Sequence, residues 1–299
     1  MLFNKNDNGS VELYELSGTF QAATPFSAVA TEVISAQMEV ARVVGDAVVA
    51  KAEAIYAQEN ISSENQEYLD MVRRPVAFLA ICNFSRITGL THGASGRKMT
   101  VGDNEKVPFE WMIDRDDREM RERYYRSLDA LFGYLTAKND SDWKATPIYQ
   151  RTAQLLVPSL SAMEQVYPVA HSQYTFFMMV PLMEEMQAKL LSEAGVTEIP
   201  DAQLPAARRF IVLKALVLAL RRWALSVFPT EVARQFAPSY QGNKEKKVAT
   251  TEEIDWAVAK LEEQASQAEA EVLAEVKENP YKDFPLIPEN DPKNKYFTV

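Results

Sequence analysis

The sequence predicts an all-α fold: a multi-helix bundle with extended N- and C-terminal arms and one long irregular loop. Three observations carry that expectation. Glycine is rare, ten residues in 299, whereas Ala, Glu, Leu, Gln, Met and Arg, which lose least entropy in a helix, are plentiful. Long stretches repeat apolar side chains at three- and four-residue steps, the period of a helix with one buried face. Four of the ten glycines fall in 89–107, which marks a single irregular interruption.

Taken in order, residues 1–24 are polar and read as an N-terminal arm. Within them Val11-Glu12-Leu13-Tyr14-Glu15-Leu16 alternates in the manner of a strand or an extended segment. Thr24-Pro25 opens a first helix over 27–58, with the stripe Val29, Val33, Ala36, Val40, Val43, Ala47, Ala50 and Ala54. Side chains this small point to close packing against a neighbouring helix. Ser63 and Gln66 read as a capping box for a second helix over 64–88, in which Pro75 predicts a kink or a break. The loop 89–107 follows, with room for a hairpin and a length typical of contact-making loops.

A third helix is expected over 108–138, Pro108 suiting its first turn. Its stripe is Trp111, Met112, Met120, Tyr124, Leu128, Leu131, Phe132 and Leu135, and its surface is densely charged. The helical core thus spans 25–240, and the polar joint at 139–147 is where an internal division is expected. Helices over 150–166, 174–194, 205–227 and 230–236 come next, with breaks at Pro158, Pro168, Pro181, Gly195 and Pro229. The C-terminal segment 241–278 begins with a charged linker over 241–247 and continues as an acidic helix over 251–278. There Ile254, Val258, Leu261, Ala265, Ala268 and Val272 alternate four- and three-residue steps, the pattern of a helix made to pair lengthwise. The tail 279–299 carries four prolines among Tyr281, Phe284, Ile287, Tyr296 and Phe297, and reads as an extended arm laid on another surface. Arg73-Arg74 and Arg208-Arg209 each precede an apolar helix, a faint sign of a duplicated unit.

The chemistry-bearing residues are sparse. A formal charge of −10 repels polyanions, and without a dominant basic patch no sequence-specific nucleic-acid binding is expected. The single cysteine, Cys82, excludes an internal disulfide framework, fits a reducing compartment and reads as a small buried hydrophobe. No secretory signal is visible at the start. The longest apolar run, 210–220, is about half of the roughly 20 residues a bilayer demands. His92 and His171 have no second ligand at metal spacing, and no Gly-x-Ser-x-Gly elbow marks a nucleophile. The run Gly93-Ala94-Ser95-Gly96-Arg97-Lys98 lacks the Gly-Lys-Ser/Thr context of a phosphate loop and reads as a turn with solvated cations. Paired carboxylates such as Asp116-Asp117 and Glu184-Glu185 belong to charged helix faces, and the Met-rich run 176–183 to core or to a subunit contact. No catalytic residue, cofactor or metal is therefore expected, and the chain is not read as an enzyme.

A diffuse pattern of residues carries a resemblance. It runs through Arg73-Arg74-Pro75-Val76-Ala77-Phe78, the loop end Ser95-Gly96-Arg97, and Lys106-Val107-Pro108-Phe109-Glu110-Trp111. It continues in Leu128-Asp129-Ala130-Leu131-Phe132-Gly133-Tyr134-Leu135 and Ile148-Tyr149-Gln150-Arg151-Thr152-Ala153-Gln154-Leu155-Leu156-Val157-Pro158. Over about 65–275 the chain resembles an uncharacterised family of helical proteins of tailed phages and prophages of Bacteroides-type bacteria. The resemblance implies a virion structural protein, a head–tail connector or adaptor ring subunit between portal and tail, assembled in the host cytoplasm. A ring of identical subunits closes through heterologous contacts. The candidate contacts are Arg97, Lys98 and Lys106 in the loop, Ile254, Val258, Leu261 and Val272 on the last helix, and Tyr281, Phe284, Tyr296 and Phe297 in the tail. The alternatives are a prophage-encoded scaffold or regulatory interaction protein absent from the virion and, third, an enzyme of unknown type.

Overall fold

The computed structural model describes residues 1–88, 91–93, 96–98, 109–222, 234–238, 244–248 and 250–278. Among them the fold is all-α. In chain order the helices are α1 (Gly9–Ser17), α2 (Phe26–Val44), α3 (Asp46–Tyr56), α4 (Ser63–Thr88), α5 (Glu110–Ala137) and α6 (Ser141–Lys144). They continue with α7 (Pro147–Thr152), α8 (Leu160–Glu164), α9 (Gln173–Ala194), α10 (Leu204–Arg222) and α11 (Thr251–Glu278). Two short antiparallel hairpins accompany them, β1 (Thr91–Gly93) with β2 (Gly96–Lys98) and β3 (Arg234–Pro238) with β4 (Lys244–Val248). Residues 234–236, expected as the end of a helix over 230–236, lie in β3, and 244–247 of the expected linker lie in β4; 230–233 and 241–243 lie outside the described residues. The chain divides into two compact units, one containing Met1–Ala153 and Val169–Met178, the other Gln154–Pro168, Met179–Val227 and the later segments.

The first unit is organised around α4, which packs against α1, α2, α3 and α5. Its residues from Tyr68 to Cys82 bury on several sides, including Val72, Val76, Ala77 and Ala80. Pro75 lies inside α4 without ending it. The first-turn contacts come from Ser62 rather than Ser63: its Oγ accepts from the Asn65 N–H at 3.3 Å and its carbonyl from the Gln66 N–H at 2.8 Å. The Gln66 side chain instead donates to Asp70 at 2.9 Å.

Residues 1–24 are not an arm. Leu2, Phe3 and Leu13 are almost wholly buried, and 11–16 are helical in α1. Leu13 and Ser17, one helical turn apart, face inward, so the alternating pattern was a short amphipathic helix with its polar face outward. Arg73 closes this contact, pairing with Glu12 at 2.9 Å between the rings of Phe3 and Tyr56.

The expected helix over 27–58 is two helices. Gly45 sits at φ 99, ψ 140, a conformation that L side chains disfavour, and a Cβ there would lie 2.7 Å from the Thr146 methyl. Before the break Val29, Val33, Ala36 and Val40 of the predicted stripe are all at 0% exposure, whereas Val43 is half-buried and Val44 takes the inward place. After it the inward residues are Val48, Val49, Ala52, Ile55 and Tyr56 rather than Ala47, Ala50 and Ala54. A break resets the rotational phase of the helix, which a single period cannot anticipate.

The polar joint at 139–147 does not divide the chain. Asp140 caps α6, accepting from the Asp142 and Trp143 N–H groups at 3.0 and 2.9 Å, and also receives Lys51 Nζ at 2.6 Å. Trp143 is fully buried, its ring 5.2 Å from Phe132 and 5.3 Å from Phe177. These ties hold the joint inside the first unit.

In the second unit α10 and α11 pair along their lengths. Residues Phe210 to Leu213 and Ala215 to Val217 of α10 are buried on nearly every side, the mark of a central core helix. Arg221 pairs with Glu262 at 3.2 Å and Arg209 with Glu271 at 3.4 Å. Arg222 makes a two-pronged contact to Glu185 of α9 at 2.6 and 2.9 Å. Among the described residues no helix is long and apolar enough to cross a membrane.

Candidate protein–protein interface

The longest helices of the first unit, α4 and α5, run antiparallel and are packed only over part of their length. On α4 burial ends at Cys82, and Ser85, Arg86, Ile87 and Thr88 are exposed. On α5 it begins at Met120, which with Tyr124, Leu128, Leu131, Phe132 and Leu135 forms the inward stripe. Between Trp111 and Glu119 every residue is exposed except half-buried Asp117. About one turn of α4 and about two and a half turns of α5 therefore project beyond the core of their unit. One ion pair, Arg86 to Asp117 at 3.0 Å, links the two projecting stretches.

The apolar side chains on this projection set it apart from an ordinary charged hairpin. Phe109 is 68% exposed, Ile87 52%, Trp111 50%, and Met112 and Ile113 43% each. Successive positions of a helix lie about 100° apart, so Trp111, Met112 and Ile113 spread over more than half of the first turn of α5 rather than share one face, with Glu110 on the remainder. Apolar side chains spread that widely are normally enclosed. Here they are exposed, and they are followed by the charged series from Asp114 to Glu119, held partly by Arg115 to Glu119 at 3.1 Å. An apolar centre with a charged rim is the composition of a protein-binding surface.

The sequence placed Trp111 and Met112 on the buried stripe of the third helix. The structure leaves them outside, because α4 offers no apolar partner beyond Phe84 except Ile87. The signal was present in Phe109-Glu110-Trp111-Met112-Ile113, where apolar residues stand at adjacent positions and cannot share a face. Phe109, Ile113 and Ile87 were not anticipated.

The contact residues expected from sequence fare differently. Val258 and Val272 are 2% and 0% exposed, and Ile254 and Leu261 are half-buried, packed with Val258 against Val217 and Leu220. The lengthwise seam of α11 is thus satisfied by α10 of the same chain, whose apolar circumference has to be covered. Trp256, on the opposite side, is 68% exposed. Arg97 and Lys98 lie on β2, which pairs with β1 in the register His92 opposite Arg97; their side chains, Lys106, and the tail residues Tyr281, Phe284, Tyr296 and Phe297 lie outside the described residues.

Titratable groups near this region serve packing. Cys82 is buried at the base of the projection, and burial, with Asp117 nearby, pushes its thiol up, which keeps it protonated. Further along α5, burial raises the Asp129 carboxyl while its hydrogen bonds from the Tyr174 N–H (2.8 Å) and Ser172 Oγ (3.4 Å) act the other way. Among the described residues no group of three or more His, Cys, Asp or Glu is placed to hold a metal ion. No protein-family model matches the chain, and no curated protein and no solved structure matches it either.

Proposed function

We propose that this chain is a structural adaptor of a tailed-phage virion, a ring subunit between portal and tail, whose projecting α4–α5 hairpin grips a neighbouring protein. The observation that supports it is the cluster of exposed apolar side chains, Phe109, Trp111, Met112 and Ile113 at the start of α5 with Ile87 at the end of α4. Fully burying such a side chain contributes about 1.5–3 kcal/mol; these five are each 43–68% exposed, so covering them together makes an anchor of the size of an interface hot spot. The resemblance to connector-like phage proteins supplies the setting, and the ring, the portal and tail partners and the virion location follow from it.

The test is electron microscopy of native particles together with the oligomeric state of the purified protein. The expected result is a ring at the head–tail junction with the hairpin tip at a contact. A protein that stays monomeric alone and with its virion neighbours overturns the reading. A protein absent from purified particles yet bound to a host-side partner through the same tip supports the scaffold or regulatory alternative instead.

A further inference from the structure

The second unit holds a cavity of about 260 Å³ between α8, the first turns of α10, and α11. That is slightly below the range typical of drug-sized ligands and suits a molecule of a few heavy atoms. One side is cationic. Arg208, half-buried, donates its Nε to the Leu156 carbonyl at 2.7 Å, a bond that fixes the plane of the guanidinium. Arg209, beside it, is tied more loosely to Glu271 at 3.4 Å. The positive end of the 19-residue α10 adds to the same field. The lining also includes apolar Ala162, Val166 and Leu213, and exposed Gln165 and Gln264 contribute amides.

We propose that this cavity binds a short aliphatic carboxylate, with the carboxylate on Arg208 and the hydrocarbon on Val166 and Leu213. A planar carboxylate matches the fork of a guanidinium better than any neutral group. The apolar wall favours a carbon chain over inorganic phosphate, which would leave that wall unpaired. A free acid and a glutamyl side chain of another protein present the same chemistry. This site is independent of the hairpin in the first unit, and the proposal holds or fails without it.

The experiment is a calorimetric or ligand-observed NMR titration of the full chain with butyrate, with N-acetyl-glutamyl amide and with phosphate. Saturable binding of either carboxylate, with phosphate much weaker, is expected; butyrate alone points to a free acid, and both together to a site open to a side chain. Arg208→Gln and Gln165→Glu should each weaken binding about tenfold or more. Gln165 is exposed, so its variant keeps the fold, and a thermal melt checks both proteins. No saturable binding below about 10 mM, or equal binding by the folded variants, overturns the proposal.

Discussion

Arg73 Nη2 lies 2.9 Å from Glu12 Oε2, and both side chains are largely buried. The pair joins α4 to a segment that reads as a loose arm in the sequence. The phenol of Tyr56 donates to both Glu12 oxygens at 2.7 and 2.9 Å, and the Lys5 N–H donates to that phenol oxygen at 2.6 Å. Burial, reinforced by the bond to Glu12, holds the Tyr56 phenol well above its ordinary range, so it stays a donor at all working pH values.

Removing one member of a buried pair leaves the other charge uncompensated. Glu12→Ala is therefore expected to destabilise the chain by about 3–5 kcal/mol, read from urea unfolding. Deleting residues 1–18 should do at least as much. A truncated protein as stable as the full chain means that α1 is not part of the core.

Gly45 separates α2 from α3 at positive φ, with the Thr146 methyl filling the space a side chain would need. Gly45→Ala is expected to cost about 1–3 kcal/mol. Thr146→Ser removes the methyl but keeps the hydroxyl that caps α7. In the double variant the steric part of the loss should be recovered and the backbone part should remain, a coupling that a double-mutant cycle measures.

The hairpin tip should separate assembly from stability. Replacing Phe109, Trp111 and Met112 together by Ser is expected to change stability by no more than about 0.5 kcal/mol per site, since exposed side chains lose little. Leu128→Ala, on the buried part of the same helix, should cost about 2–5 kcal/mol. Sedimentation or pull-down with virion neighbours then reads whether the stable triple variant has lost its partner. Unchanged assembly removes the tip from the interface.

Asp129 sets a pH dependence. Its carboxyl is raised in the folded state by burial, so the folded protein holds a proton that the unfolded chain releases more easily. Its contribution to stability is greatest below the ordinary carboxylate range and is lost as pH rises through the raised value. Asp129→Asn keeps an acceptor for the Tyr174 N–H and should flatten this part of the profile, with its advantage over the parent growing from acidic to neutral pH. Chemical denaturation at several pH values checks the sign; a steeper profile in the variant contradicts it.

Much of the helical layout was legible because it is local. The stripe from Val29 to Val40, the run from Met120 to Leu135 and the seam of α11 all follow from side-chain period; the first two are buried where the period placed them, as are Val258, Ala265, Ala268 and Val272 of the seam, with Ile254 and Leu261 half-buried. The errors arose where a single residue changes the phase or where a distant partner decides the outcome. Gly45 shifted the inward face of α3, and the cover supplied to Leu13 by the surrounding helices made a helix of an alternating segment.

By itself the sequence determined the all-α class, the extents of α4, α5, α9 and α11 and the net acidic charge, since propensity, period and charge are properties of neighbours along the chain; the helix expected over 150–166 is instead the separate short α7 and α8. Only the tertiary structure decided which apolar stripes are consumed internally. It spent the α11 seam on α10, bound residues 1–24 through Arg73, and left the first turn of α5 uncovered. Period shows that a side chain is fit for burial, whereas the partner that buries it comes from elsewhere in the chain, and for Phe109, Trp111, Met112 and Ile113 the described chain supplies none.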